Sequence, residues 1–333
     1  MTAVLPFDAE LGVGLVIIGR NEGERLRRCL QSCAALGGRR VYVDSGSSDG
    51  SVQLATDSGA RVVELDMARP FTAARARNAG FAELRRVHPD VPLVQFIDGD
   101  CELIDGWLRD AATFLRQRPE FVAVAGRLRE RFPDRSLFNR LCDIEWNTAV
   151  GDVKSFGGIV MIRAGALVQA GGFREDLIAG EEPELCVRLR RGGGRLWRLD
   201  RDMAWHDANI LRLSQWWRRT VRSGHAFAEG AALHGAPPER HFVQETRRAL
   251  AWGACLPVAI VLLALFRPIA LALLGLYLAQ WIRIGQRLGR GGSPIPWANA
   301  AFLVLGRFAE AQGALTFYLG RLFGRRSALI EYK

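Results

Sequence analysis

Val94-Gln-Phe-Ile-Asp-Gly-Asp100 is an apolar stretch that runs directly into two carboxylates separated by one glycine. A short apolar run of this kind predicts a buried strand, and open α/β sheets bind ligands beyond the carboxyl ends of their strands. Mg²⁺ and Mn²⁺ take carboxylate oxygens together with phosphate oxygens and water. Asp98 and Asp100 are therefore candidate ligands of a metal that holds a diphosphate, and Gly99 is expected to let a ligand approach closely. Asp-Gly-Asp is also an ordinary turn sequence.

Strand and helix patterns alternate on the N-terminal side of this stretch. Apolar, β-branched runs predict strands at 12–18, 40–43, 61–65 and 93–97. Apolar residues at helical spacing predict helices at 24–36, 51–58 and 72–87. Such alternation is typical of an α/β domain with a mostly parallel central sheet that is covered on both faces. Polar residues that follow the strands should then gather at one edge of the sheet.

A further helix is predicted to begin near Glu181 and Glu182 and to end at the glycines 192–194. The helix macrodipole favours anionic side chains at a helix start, so a purely structural role is one interpretation of this glutamate pair.

The last quarter of the chain is strongly apolar. Two runs, 249–266 and 269–282, are separated by Arg267-Pro268, and each is somewhat shorter than the ~20 residues that span a bilayer. Basic residues flank the pair on both outer sides, which predicts a membrane hairpin with both flanks in the cytoplasm. A buried helical core and two interfacial helices are the alternatives. Residues 297–324, interrupted by charges, predict an amphipathic interfacial helix. The expected domains are a catalytic domain at 1–245 and a membrane-associated helical region at 246–333.

The net charge is +10 and comes almost entirely from arginine. A basic face is drawn to anionic lipid head groups and to phosphorylated substrates, whereas no nucleic-acid-binding module is recognisable, so nucleic acid is not an expected partner.

The six cysteines show no metal-ligand spacing and predict reduced, buried thiols. The first ten residues lack the pattern of a secretory signal, so the catalytic domain is expected in the cytoplasm.

Five segments, in order, resemble the family 2 glycosyltransferases, whose nucleotide-sugar-binding α/β domain has the fold called GT-A. They are Gly-Arg-Asn-Glu at 19–22, Asp-Ser-Gly-Ser-Ser-Asp-Gly-Ser at 44–51, Ala-Arg-Asn-Ala-Gly at 76–80, Asp-Gly-Asp at 98–100 and Gly-Glu-Glu-Pro-Glu-Leu at 180–185. Each segment alone is weak, but the ordered set, which spans roughly residues 12 to 225, is specific.

The resemblance implies a pocket for a nucleotide-sugar donor. Asp44 would accept a hydrogen bond from the base, most often uracil. The other residues implied at the nucleotide or diphosphate are Asn21, Glu22, Asp49, Arg77, Asn78 and Asp98. For the segment at 44–51 the structural alternative is a helix-capping turn made by Ser48 and Asp49. For Arg77 it is a solvated helix face shared with Arg75.

The resemblance also implies a metal and a base. Mg or Mn would be held by Asp98 and Asp100. His206 is either a third metal ligand or a histidine fixed by Asp207 in a mobile lid. Glu182 would deprotonate the acceptor hydroxyl, with Glu181 as the second choice, because the family usually has Glu-Asp where this chain has Glu-Glu.

Together these features predict inverting, metal-dependent transfer from a nucleotide-diphosphate sugar, most often a UDP-sugar, to a hydroxyl of a lipid-linked glycan. Cell-envelope or exopolysaccharide biosynthesis at the inner membrane is the expected setting. Gln215-Trp-Trp-Arg218 resembles the Gln-x-x-Arg-Trp motif of processive synthases, but Arg219 replaces the last tryptophan, which favours one sugar per encounter. Trp216 or Trp217 would stack on a sugar or anchor the chain at the membrane interface. The alternatives are a polyprenyl-phosphate sugar transferase, a noncatalytic membrane-tethered module and a glycoside hydrolase, which needs no metal–diphosphate site.

Overall fold

A computed structural model describes residues 12–324 of the chain. The prediction about a secretory signal in the first ten residues lies outside the described residues, as do the outer ends of both predicted domains. The described chain forms two units, the first made of residues 12–177 and 181–209 and the second of 178–180 and 210–324. The second unit therefore includes a long stretch, 210–245, that the sequence pattern assigns to the catalytic domain.

Nine strands form a single mixed sheet in the first unit. They are β1 (Val13–Gly19), β2 (Arg40–Asp44), β3 (Arg61–Glu64), β4 (Leu93–Asp98), β5 (Cys101–Leu103), β6 (Phe121–Glu130), β7 (Gly151–Asp152), β8 (Val160–Arg163) and β9 (Arg195–His206). Their order is β3-β2-β1-β4-β8-β6-β9-β5, and β7 pairs with β9. The neighbours among β1 to β4 are parallel, β8 is antiparallel to β4 and β6, and β6 is parallel to β9. The predicted α/β fold with a mostly parallel sheet is confirmed.

The register of the central strands brings their carboxyl ends to the same level. Gly19 pairs with Asp44 across β1 and β2, and Ile18 pairs with Asp98 across β1 and β4. These strands are buried along almost their whole length, so the polar residues that follow each of them emerge together at one edge of the sheet.

Seven helices accompany the strands in the described part of this unit. They are α1 (Glu24–Ser32), α2 (Ser51–Asp57), α3 (Ala73–Val87), α4 (Trp107–Gln117), α5 (Leu137–Trp146), α6 (Ala164–Gln169) and α7 (Glu181–Arg191). The helix predicted at 24–36 ends early, at Ser32, and a 3₁₀ segment, Ala34–Arg39, follows it. Gly37, with a non-helical φ of 52°, forms a kink within that segment. The other helices predicted from the sequence are present, and α7 ends at glycines 192–194 as predicted.

The second unit is helical. Its α-helices are α8 (Leu213–His234), α9 (Val243–Leu250), α10 (Leu256–Phe266), α11 (Gly275–Arg290) and α12 (Pro296–Leu322). A π-helical segment, Ala251–Cys255, joins α9 to α10, and a 3₁₀ segment, Pro268–Leu274, precedes α11.

Helix α12 packs closely against α8 through small residues. A Cβ atom on Gly224 would lie 2.0 Å from the carbonyl oxygen of Glu310, and one on Gly313 would lie 1.9 Å from that of Val221. Such contacts let two backbones approach where larger residues would separate them. The sequence predicts this helix correctly, but its small-residue face is covered by α8 and not by a membrane surface.

Two continuous helical stretches of the second unit, Val243–Phe266 and Pro268–Arg290, are long and apolar enough to cross a membrane by length and composition. Only 11% and 6% of their most apolar windows are buried within the protein. They are longer than the apolar runs in the sequence because their basic outer ends are helical as well.

The cysteines agree with the prediction of reduced thiols. All six are free, and all but Cys255, which lies in the π-helical segment, are buried.

Candidate active site

The loops after β1 and β2 are tied together by Asn21. Its backbone N–H donates to Ser47 Oγ at 2.9 Å, and its side-chain Oδ1 accepts from the N–H of Ser48 at 2.7 Å. Asn21 has a φ of 55°, in the left-handed region that asparagine tolerates better than most residues. The predicted convergence of polar residues is therefore present between these loops.

Asp44 organises the loop after β2. Its Oδ1 accepts from the hydroxyl of Tyr42 at 3.0 Å, and its Oδ2 accepts from the N–H groups of Gly46 at 2.9 Å and Ser47 at 2.7 Å. A carboxylate has about four acceptor sites, so one is left for the N–H of a nucleotide base. Asp44 is only 2% exposed, which makes it first a buried turn-forming residue.

Glu22 and Asp49 flank the same loops. Glu22 lies 2.8 Å from Arg25, one turn along α1. Asp49 Oδ1 accepts from the backbone N–H of Ser51 at 3.1 Å and from its hydroxyl at 2.6 Å, whereas Gly50 occupies the cap position of α2. Neither Ser48 nor Asp49 is therefore the N-cap residue, but Asp49 does order the turn that leads into α2.

Gly99 is constrained by its own chain. A Cβ atom there would lie 3.2 Å from Glu22 Cγ and 3.3 Å from the carbonyl oxygen of Ile18, and its N–H donates to that oxygen at 2.8 Å. A side chain at this position would crowd two loops. The expectation that Gly99 lets a ligand approach closely stays a prediction.

Asn78 does not join the nucleotide side of the site. Its amide N–H₂ donates to the carbonyl oxygen of Phe173 at 2.8 Å and to Glu175 at 3.0 Å, and its Oδ1 accepts from the N–H of Phe173 at 2.8 Å. Gly172, with a φ of 73°, forms the turn that permits this pairing. The implied nucleotide contact is replaced by an anchor for the segment that precedes α7.

Arg77 lies at the centre of a buried group of carboxylates. Its side chain is 3% exposed; Nη2 donates to Asp98 Oδ1 at 3.0 Å, Nη1 donates to Glu181 at 2.9 Å, and Nη1 lies 3.0 Å from Glu182. A buried guanidinium needs such partners because desolvation of an unpaired charge is very costly. The resemblance assigns the guanidinium of Arg77 to the nucleotide or diphosphate, but here its terminal N–H groups contact carboxylates.

Arg75 is buried as well, so the solvated-face interpretation of α3 is wrong. Its guanidinium donates to three carbonyl oxygens of the loop before the helix, including that of Asp66 at 2.6 Å.

Glu181 and Glu182 begin α7, as predicted, but their surroundings differ. The side chain of Glu181 is 4% exposed and that of Glu182 is 15% exposed. Burial and the neighbouring carboxylate of Glu181, opposed by Arg77 and aided by Asp98, together raise the pKa of Glu182 to about 7. A carboxylate with a pKa near neutrality is suited to accept a proton in catalysis. The geometry therefore favours Glu182 over Glu181 as a base.

Gly158 is a site residue that the sequence shows only as part of a glycine pair. A Cβ atom there would lie 2.3 Å from Arg77 Nη2 and 2.9 Å from Glu182 Oε1. At neighbouring Gly157 a Cβ atom would meet nothing within 4 Å. Only Gly158 is needed to admit the guanidinium beside the glutamates.

His206 lies beside Asp100 because β5 and β9 pair antiparallel, with Cys101 opposite His206. The imidazole Nε2 is 3.2 Å from Asp100 Oδ2, and the ring stacks on Trp146 with centroids 4.7 Å apart. Asp207 instead directs its carboxylate towards Arg135 at 3.9 Å. The histidine ends a strand of the sheet, so the alternative of a lid histidine fixed by Asp207 is wrong.

The donor atoms at this point fit a divalent cation. Donor atoms of Asp100, Cys101 and His206 lie within 4.8 Å of one another. Two ligands at ~2.1 Å from one ion and at right angles are about 3 Å apart, close to the spacing of Asp100 and His206. Asp98 binds Arg77 through one oxygen and is 36% exposed. Mg²⁺ and Mn²⁺ prefer oxygen ligands to the sulfur of a thiol, so Cys101 is not counted as a ligand.

The tryptophan motif belongs to the packing of the second unit. Gln215 Oε1 accepts from two backbone N–H groups at the start of α8. Trp216 packs edge-on against Phe302 with centroids 4.9 Å apart, and Trp217 donates to Gln312 at 2.9 Å. Both indoles therefore contact α12, a role that neither sugar stacking nor interfacial anchoring describes.

Comparison with known proteins matches part of the chain to a family model. Residues 15–155 match the sequence model of Glycosyl transferase family 2. Pre-mycofactocin glycosyltransferase of Mycobacterium tuberculosis is 28% identical over 239 residues, which cover 67% of this chain and 48% of that protein. The chain thus spans about half the length of this curated relative.

Two solved structures share the fold. A mannosyltransferase of Pyrobaculum calidifontis, in complex with GDP-Man and Mn²⁺, has a TM-score of 0.59 at 19% identity, covering 91% of this chain and 86% of that one. Residues 1–349 of TarS from S. aureus have a TM-score of 0.50 at 14% identity, covering 94% and 92%. Residues 15–155 therefore match a glycosyltransferase family 2 domain, and the chain shares the GT-A-like fold of these structures.

Proposed function

We propose that the protein transfers a sugar from a nucleotide-diphosphate sugar to a hydroxyl of a lipid-linked glycan, with inversion at the anomeric carbon. The observation that supports the proposal is the ion-paired group of Arg77, Asp98, Glu181 and Glu182, in which a carboxyl of raised pKa lies beside the partly exposed Asp98 of the Asp-Gly-Asp segment. The complex of the mannosyltransferase with GDP-Man supports a nucleotide-sugar donor.

Asp98, Asp100 and His206 are the proposed holders of Mg²⁺ or Mn²⁺. When bound there, the cation would neutralise charge on the departing nucleoside diphosphate. The Mn²⁺ in the mannosyltransferase complex supports this assignment, as does the spacing of Asp100 and His206.

Glu182 is the proposed base. The acceptor hydroxyl oxygen attacks the anomeric carbon, the bond from that carbon to the diphosphate oxygen breaks, and the hydroxyl proton passes to the carboxylate of Glu182. Arg77 is a positioning residue, because it contacts Glu182 and leaves no exposed face for the donor. Glu181 is almost completely buried and balances the charge of Arg77.

Asn21, Glu22, Asp44 and Asp49 form the proposed nucleotide end of the site. They follow two adjacent parallel strands, and Asp44 keeps one acceptor site for the N–H of a base. A UDP-sugar is the proposed donor, and GDP-sugars are the alternative.

The two apolar helical stretches support a membrane location, which we propose to be the inner membrane with the catalytic domain in the cytoplasm. A lipid-linked acceptor would suit an enzyme held at a membrane, so the proposed setting is cell-envelope or exopolysaccharide biosynthesis. An acceptor that is a bare polyprenyl phosphate is the second candidate, because a phosphate oxygen is already ionised and needs no base.

The test is nucleoside diphosphate release by the detergent-purified full chain, measured with a panel of UDP- and GDP-sugars, with and without Mn²⁺ or Mg²⁺. We expect release from one donor, abolished by chelation and by Asp100→Ala. Glu182→Gln should lower transfer to a hydroxyl acceptor by roughly 10²- to 10⁴-fold, and Glu181→Gln should lower it less. Transfer to polyprenyl phosphate that survives Glu182→Gln would establish the second candidate. Failure to bind any donor would refute the transferase proposal.

A further inference from the structure

A cavity of about 450 Å³ lies within the second unit, between α9, α11 and α12 and the segments that adjoin them. Four arginines from three helices line it, and no acidic residue is among its lining residues in the described part of the chain. The arginines are Arg248, Arg283, Arg287 and Arg307.

Most of this positive charge is uncompensated. Arg307 is paired with Glu310 at 2.6 Å, and Arg248 makes only a long bond to Gln244 at 3.4 Å. Within residues 12–324, no carboxylate forms an ion pair with Arg283 or Arg287. Guanidinium groups that converge on a cavity form a site for phosphate oxygens, which they bind with two parallel hydrogen bonds.

The cavity is also amphipathic. Trp252 lies one helical turn beyond Arg248, and Tyr277 lies less than two turns before Arg283; the Tyr277 hydroxyl donates to the carbonyl oxygen of Trp252 at 2.5 Å. Together with the aliphatic lining from α11 and α12, these rings are the apolar part of the lining, and the four arginines, called the cationic rim below, are its charged part. A free phosphate would use only the rim, whereas a phosphate attached to a hydrocarbon chain would use both.

The position of the rim along the two apolar helices matches a membrane head-group layer. Arg248 lies roughly 27 Å along its helix from Phe266, at about 1.5 Å per residue. Arg283 and Arg287 lie roughly 26 and 32 Å from Pro268, allowing for the 3₁₀ segment. The hydrocarbon core of a bilayer is about 30 Å thick. Phe266 is 82% exposed, so the surface at the turn end of these helices is apolar.

We propose that this cavity binds the phosphate head group of an anionic lipid, with the first carbons of its chain against Trp252 and Tyr277. The proposal does not depend on the donor or on the transfer reaction, because it uses only residues of the second unit. It predicts that binding of an anionic phospholipid depends on the arginines of the cavity and not on equally charged arginines outside it, a dependence on position that general attraction between basic helices and a membrane would not produce.

The test uses the full chain in dodecyl maltoside micelles and measures the affinity for phosphatidic acid, with phosphatidylcholine as the comparison lipid. The double variant Arg283→Gln/Arg287→Gln should bind phosphatidic acid roughly 30-fold more weakly, since each arginine near an anionic lipid is worth roughly fivefold in affinity and the two effects multiply. The matched control is Arg247→Gln/Arg290→Gln, which removes equal charge from exposed positions outside the cavity and should bind like the unaltered chain.

Equal losses in both double variants, or equal affinity for the two lipids, would overturn the proposal. Inorganic pyrophosphate that binds without lipid as tightly as phosphatidic acid would also overturn it, by showing a site for soluble anions. If the glutamine variant does not fold, Arg283→Lys/Arg287→Lys keeps the charge but loses the paired bonds, and it should still bind more weakly than the control. Asp100→Ala should bind the lipid as the unaltered chain does. Lipid binding can therefore be tested independently, even if the transferase proposal fails.

Discussion

Replacement of Arg77 by methionine should move the pH dependence of transfer upward. The guanidinium lies about 3 Å from each of three carboxylates, and it is the cation that limits the rise in the pKa of Glu182. Loss of an opposite charge at this distance raises a carboxyl pKa by roughly 1 to 3. Because the base must be ionised to accept a proton, and its pKa is about 7 in the unaltered chain, the active fraction at pH 7 should fall roughly 5- to 500-fold.

The assay is the pH profile of kcat/KM for nucleoside diphosphate release in the presence of acceptor, between pH 6 and pH 10. The methionine variant should regain activity as the pH rises. The pH profile of Arg77→Lys should lie between those of the unaltered chain and the methionine variant, since lysine restores the charge without the paired N–H donors of a guanidinium. A thermal melt at each pH separates loss of fold from loss of ionisation. A profile that is lowered uniformly, with its acidic limb unmoved, would refute the idea that Arg77 acts through the ionisation of the base.

Three further substitutions test the packing and the electrostatics. Gly158→Ala should displace the buried guanidinium and lower activity at least roughly tenfold, whereas Gly157→Ala, which meets open space, should leave activity unchanged in the same assay. Gly224→Ala should destabilise the helical unit by about 1–3 kcal/mol, seen as a lower melting temperature in detergent, while Gly275→Ala should not. Glu182→Gln should raise the melting temperature more at pH 8 than at pH 4.5. Folding raises the pKa of the Glu182 carboxyl, so this group destabilises the folded state once the pH exceeds its pKa in the unfolded chain, and glutamine removes that effect.

The strands β1 to β4 were predictable because their signal is local: each is an apolar run followed by a polar loop. The insertion of antiparallel β8 between β4 and β6 was not, since a pairing such as that of Val94 with Ile162 joins residues far apart in the sequence. Pairing partners at such separations are chosen by the packing of the whole sheet, which no local pattern records.

The site residues also divide into those marked by a local motif and those whose role depends on residues far away in the sequence. The carboxylates were predictable from ordered motifs, because their chemistry depends on residue type. The environment of Arg77 was not, because whether a guanidinium faces phosphate or carboxylate depends on Glu181, more than a hundred positions later. Gly158 was visible as a glycine, but its importance depends on the volume that Arg77 occupies beside it.

Two sets of hydrogen bonds affect how a donor would bind: those that tie Asn21 to the neighbouring loop, and the three that Asp44 accepts. Backbone groups that would otherwise fluctuate are already ordered by the chain itself. Ordering loops during association weakens binding, because the entropy lost is subtracted from the contact energy. Here that ordering is completed during folding. This end of the sheet is therefore preorganised. A donor that binds here should cause little loss of backbone conformational entropy and little movement of the backbone.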